Sequence, residues 1–182
     1  MHLKEIGIEM EQDIQLLKAI AKTGLMVEKF LPMLGLNQTR LRQHLASGNV
    51  EKKGRFLIYG SATNVYTLTP RTKKRMQGDF LINLYKGDIG QLEHDYVLLR
   101  TYLYLSAEEK ESWLTESRLQ IDYPHSAKTT DAMYISNGKK IGVEIITSSY
   151  MAEDIEAKKE FIRYNCDDYI MLHTHKPIEY SL

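Results

Sequence analysis

Apolar positions recur at helical spacing from the first described turn of pattern: Ile14, Leu17, Ile20 and Ala21 share one face, and Gly24 after Thr23 suits a left-handed stop. The run LMVEKFLPMLGL predicts a second helix, with Val27, Phe30, Leu31 and Leu34 on one side, Pro32 weakening it and Gly35 ending it. A short third helix follows in NQTRLRQHLASG, where Asn37 is a good N-cap, Leu41 and Leu45 repeat four apart and Gly48 closes the segment. Then the pattern changes. NVEKKGRFLIYG and NVYTLT are β-branched and aromatic runs around the turn-rich GSATN, which reads as a β-hairpin. Farther along, Leu92, Tyr96, Leu99 and Leu103 predict a long core helix over about 89–105. Strands are expected over 131–135 and 141–147, joined by a type I′ turn at Asn137-Gly138. A helix carrying Met151, Ile155 and Ile162 and a final strand in DDYIMLHTH complete the pattern. The expected class is α/β (α+β), with a boundary near residue 78: a helix-rich 1–78 and a mixed 79–182.

Charge changes the picture of the first part. The 182-residue chain has no net charge, yet from Arg40 to Arg75 nine cations face one acid, Glu51, so this stretch is +8 and the remainder −8. Such segregation is the footprint of a phosphate-binding face. Three helices followed by a hairpin is the winged-helix plan, in which the third helix enters the major groove of duplex DNA and the hairpin lies along the backbone. With Leu41 and Leu45 inward, Thr39 and Gln43 point outward and Arg40 and Arg42 flank them. Thr39, Arg40, Arg42 and Gln43 are therefore expected at bases or the groove rim, and Lys52, Lys53, Arg55, Lys73, Lys74 and Arg75 at phosphates. The segment VYTLTPRTKKRM resembles a winged-helix signature in which a wing strand of the form Tyr-x-Leu-Thr runs into another helix, with Thr72 where glycine is common.

Composition excludes other classes. With 43% apolar and 26% charged residues the chain is expected to fold as a globular protein. It has neither a signal-peptide-like apolar run nor the ~20 apolar residues of a membrane span, so a cytoplasmic, membrane-free protein is expected. Cys166, the single cysteine, can form no intrachain disulfide or multi-cysteine zinc site. No phosphate-cradling glycine loop and no Gly-x-Ser-x-Gly is present. His173 and His175 share a strand face but lack a third ligand.

The second part carries two acids on neighbouring strands. Asp131 opens one and Glu144 sits inside the next, an order that resembles the core of PD-(D/E)xK nucleases. More narrowly, a winged helix followed by LEHDYVLLR, WLTES, TTDAMY, GVEI and KKEFIRY is similar to the replication-relaxation proteins of plasmids and integrative elements, over residues 12–172. His94-Asp95, Thr130-Asp131-Ala132 and Glu144 carry that resemblance. It implies a duplex-DNA-binding accessory protein of replication or mobilisation, with a relaxase or replication protein, or a second copy, as partner of the nuclease-like part. Hydrolysis by this fold normally uses a lysine two residues after the glutamate, where Ile146 stands here. Lys158 or Lys159 could reach back, although their spacing from Glu156 and Glu160 suits surface ion pairs. The expectation is therefore no catalytic residue and no cofactor. The alternative is a Mg²⁺-dependent endonuclease or nickase using Asp131, Glu144 and Lys158, with Asp131, Glu144 and Glu116 on the metal, and a transcription regulator is a further one. Asp131 is otherwise expected as a strand-start cap, Glu144 on a half-exposed strand, and His94-Asp95 in capping or inter-domain hydrogen bonds.

Overall fold

The computed structural model describes residues 11–174 and divides the chain into two compact units, one through Leu92 and one from Glu93. The protein is mixed α/β, with a separate sheet in each unit.

In the first unit α1 spans Glu11–Thr23, β1 Met26–Val27, a 3-10 helix Glu28–Leu34, α2 Gln38–Ala46, β2 Val50–Ile58, β3 Ser61–Leu68 and α3 Pro70–Gly78. The sheet order is β1-β3-β2, all antiparallel. Met26 and Val27, expected in a helix, instead pair with Tyr66 and Val65. The residues after them form a 3-10 rather than an α-helix, because Pro32 has no N–H to donate back along the helix. The inward face of α1 centres on Asp13, Leu16, Leu17 and Ile20, and Ile14 lies at its edge. As expected, Asn37 caps α2, its side chain accepting from the Arg40 N–H at 3.0 Å. Thr69 caps α3 in the same way, ahead of Pro70.

Segment 79–92, placed by sequence in the second unit, belongs to the first. The Tyr85 N–H donates to the Ala21 carbonyl at 2.9 Å, and the Tyr85 ring lies over Gly24. Gly24 has φ +93, and a Cβ there would come within 3.0 Å of the Gly87 Cα and the Tyr85 ring. Gly24→Ala is therefore expected to lower the stability of this unit by about 2 kcal/mol, read as a fall in its thermal midpoint by circular dichroism.

In the second unit α4 spans Leu92–Tyr104, α5 Ala107–Ser112, β4 Leu114–Thr115, α6 Glu116–Asp122, β5 Ala132–Ser136, β6 Lys139–Ile146, α7 Ala152–Asn165 and β7 Asp168–His173. The sheet runs β4-β5-β6-β7, antiparallel except for the β6-β7 pair, which is parallel and joined through α7. A parallel neighbour needs such a crossover. Asn137 and Gly138 both have positive φ, 49 and 77, as a type I′ turn requires. Trp113 is buried between Tyr102, edge-on at 5.3 Å, and Tyr134, stacked at 6.0 Å. Among the described residues no helix is long and apolar enough to cross a membrane.

Candidate functional sites: a basic face and a buried charge cluster

The first unit presents the predicted cations unevenly. Arg42, Lys52, Arg55, Lys73 and Lys74 are exposed and make no ion pair among the described residues. Lys53 and Arg75 are exposed too, but Lys53 pairs with Glu51 at 2.6 Å and Arg75 with Asp79 at 3.3 Å. Thr39, Arg42, Gln43 and Ala46 form one stripe along α2 at helical spacing, with Gln43 half-buried and the others exposed.

Arg40 departs from expectation. Its guanidinium turns inward and grips Asp13 of α1 with two hydrogen bonds, from Nε at 2.8 Å and from Nη2, so only 19% of its side chain is exposed. The fork geometry of arginine suits that bidentate grip. His44 Nε2 lies 2.9 Å from the same carboxylate, on its Oδ1. The Arg40 hydrogen bond, opposed by burial and aided by His44, holds the Asp13 carboxyl below the usual range. Asp13 is fully buried, and one acid thus fixes α2 on α1 from two turns. Sequence reasoning missed it because an acid in a first helical turn looks like an ordinary N-terminal charge. Glu28 plays a similar part, accepting from Gln38, Asn64 and the Tyr66 hydroxyl and so joining α2 to β3.

In the second unit the structure assembles what sequence reading separated. On β6 Gly142, Glu144 and Ile146 share a face, and α7 crosses it with the row Lys158, Ile162, Cys166. Ile162 and Cys166 press on Gly142, where a Cβ would meet the Cys166 Sγ at 3.0 Å. One helical turn back, Lys158 arrives over Glu144. Its ammonium donates to Glu144 Oε1 at 2.5 Å, to Asp131 Oδ1 at 3.3 Å and to the Tyr150 hydroxyl at 3.2 Å. Lys158 is therefore not a surface residue: 5% of it is exposed. Lys159 does form the expected surface pair, with Glu156 at 2.8 Å. The ammonium missing from the Ile146 position is supplied from the helix instead.

Asp131 and Glu144 are equally enclosed, at 3% and 1% exposure, neither a strand-start cap nor a half-exposed strand residue. Asp131 Oδ2 accepts from the Ile145 N–H at 2.7 Å and faces His94 Nε2 at 3.1 Å. His94 Nδ1 lies 3.1 Å from Asp95 Oδ1, so the imidazole bridges two carboxylates. The His94-Asp95 pair is thus neither a helix cap nor an inter-domain contact. Burial disfavours a charged His94, but Asp131 and Asp95 outweigh it and lift the imidazole to about 10. Burial likewise opposes a charged Lys158, and Asp131 and Glu144 hold it above its ordinary value. Asp131 is held low: His94 and Lys158 overcome the cost of its burial. Glu144 is pushed well up, first by burial and then by the Asp131 charge. Its Oε2 is buried with no hydrogen-bond partner among the described residues. Glu116, at the start of α6, is half-buried and also raised, by burial and by Asp131. Its backbone N–H donates to the Asp131 carbonyl at 2.9 Å.

An imidazolium held above its free value of 6.5 stabilises the fold fully below pH 6.5, and that contribution fades as pH rises through about 10. The raised Glu144 acts in the same sense. The urea midpoint of the second unit, read by Trp113 fluorescence, is expected to fall between pH 6.5 and 9.5, by a few kcal/mol in order of magnitude. His94→Gln is expected to flatten that fall.

Among the described residues no group of three or more His, Cys, Asp and Glu side chains is arranged to hold a metal ion. Glu116 does not complete a trio with Asp131 and Glu144. Two carboxylates with one orphaned oxygen, Glu144 Oε2, do match the donor number with which Mg²⁺ binds proteins when phosphate and water fill its remaining positions. His173 is exposed at the end of β7, and His175 lies outside the described residues. Burial pushes the Cys166 thiol up to about 11, which keeps it protonated at neutral pH. Comparison with protein-family models, curated proteins and solved structures finds no match to this chain.

Proposed function

We propose that the protein binds duplex DNA through its first unit, which we read as a winged helix: α2 as the recognition helix, β2 and β3 as the wing. The observation that carries this reading is the set of exposed, unpaired cations on consecutive elements, Arg42 on α2, Lys52 and Arg55 on β2, Lys73 and Lys74 on α3. Cations left without acids in a chain of zero net charge are matched by an anionic partner, and phosphate is the anion that closely spaced Lys and Arg serve best. The winged-helix reading has further support in the β1-β3-β2 sheet and in the ties of α2 to α1 through Asp13 and to β3 through Glu28. A helix anchored on two sides can hold its outward stripe rigid against a groove. By the family resemblance, the setting is replication or mobilisation of a plasmid or integrative element, with the second unit, read as nuclease-like, contacting a relaxase, a replication protein or a second copy. Electrophoretic retention of a random-sequence duplex at low salt tests the reading; no retention at any protein concentration overturns it.

One observation favours a second reading, a metal-dependent DNA endonuclease: the Lys158 ammonium touches both carboxylates, so an Asp-Glu-Lys set is present. In that case Asp131 and Glu144 would hold Mg²⁺, which would polarise a phosphate oxygen, and Lys158 would steady developing negative charge. Against it stands charge. His94 and Lys158 already set two cationic groups on this carboxylate pair, in a site almost closed to solvent. Titration calorimetry of Mg²⁺ and Mn²⁺, with Asp131→Asn as control, and plasmid nicking under the same conditions separate the two readings. Metal binding and nicking that both vanish in Asp131→Asn establish the second.

A further inference from the structure

The contact between Arg40 and Gln43 bears on base recognition. While two edges of the Arg40 guanidinium hold Asp13, its Nη1 donates to Gln43 Oε1 at 2.8 Å. A glutamine side chain has one carbonyl acceptor and one amide with two donor hydrogens. Here the carbonyl is occupied from within the protein, and Nε2 makes no hydrogen bond among the described residues. Gln43 lies in the outward stripe of α2 between Thr39 and Ala46. It therefore offers that surface a donor-only group.

Base edges in the major groove differ in the pattern they can match. Adenine shows a donor beside an acceptor, which a free glutamine amide pairs with both of its ends, whereas guanine shows two adjacent acceptors, O6 and N7. A glutamine stripped of its acceptor cannot satisfy the adenine N6 donor. It can give both hydrogens to guanine. We propose that Gln43 is a specificity-determining residue that reads a guanine, and that Arg40 is its positioning residue, fixing the amide so that adenine is rejected. This rests on the duplex-binding reading above.

Selection from a duplex pool randomised over one site, with the full chain as bait, tests it. The wild type is expected to select a G·C pair at one position with about ten- to hundredfold preference, as for a bidentate base contact. Gln43→Ala is expected to erase the preference there and leave the other positions intact. Arg40→Lys keeps a cation against Asp13 but loses the guanidinium arm that engages Gln43 Oε1, and is expected to move that position towards A·T. A merely structural role for Arg40 would weaken binding without changing the base preferred. If Gln43→Ala leaves every position unchanged, or the position it controls is A·T in the wild type, the inference fails while DNA binding stands. If the wild type retains no duplex from the pool, both fail together.

Discussion

Lys158→Met is expected to destabilise the second unit by about 3–5 kcal/mol at neutral pH, the scale for removing one partner of a buried charge pair. The ammonium is the hydrogen-bond donor that Glu144 Oε1 and Asp131 Oδ1 share, and water cannot replace it where the three residues are 1–5% exposed. Without it Asp131 keeps His94 and the Ile145 N–H, but Glu144 is left with neither oxygen satisfied. Adding Glu144→Gln to Lys158→Met is expected to recover part of the loss, because a neutral amide costs less to bury than an unpaired carboxylate. Trp113, the only tryptophan and a buried residue of this unit, reports the transition in urea. A change below about 1 kcal/mol in the single variant would show that the ammonium contributes little to the fold.

The second large effect concerns the basic face. Replacing Lys52, Arg55, Lys73 and Lys74 together by glutamine is expected to flatten the dependence of log affinity on log salt by about 3 to 4, at about 0.9 per lost phosphate contact. At low salt, where those contacts are strongest, duplex retention should all but vanish. All four side chains are exposed and outside any ion pair among the described residues, so the fold should tolerate the change. Unaltered Trp113 fluorescence and an unaltered circular dichroism spectrum would show that it does. A variant that kept both its affinity and its salt slope would move the anion-binding surface elsewhere.

Much of this architecture was legible in the chain. The Asn37 and Thr69 caps, the hairpin between two β-branched runs and the Asn137-Gly138 turn are local signals, and local chemistry decides them. Met26 and Val27 were not legible as a strand, because two residues carry no periodicity and only the Tyr66 and Val65 partners across the sheet define them. Lys158 shows the same limit at the site. Its helical neighbours Glu156 and Glu160 invite a surface pairing, and nothing local says that Ile162 packing on Gly142 sets the register that carries Lys158 over Glu144. His94 and Asp131 are 37 positions apart in sequence, and only the fold brings them to 3.1 Å. Arg40 was misjudged for a similar reason: on a helical wheel it flanks the exposed face, and only the buried Asp13 of another helix draws it inward.

The most direct test of the central claim is a salt titration of the full chain against a fluorescently labelled random-sequence duplex, followed by anisotropy. Because the protein carries no net charge, a steep response can arise only from cations gathered on one surface. A slope of log affinity on log salt of about −4 or steeper is the predicted result, and a slope shallower than about −1 would contradict it.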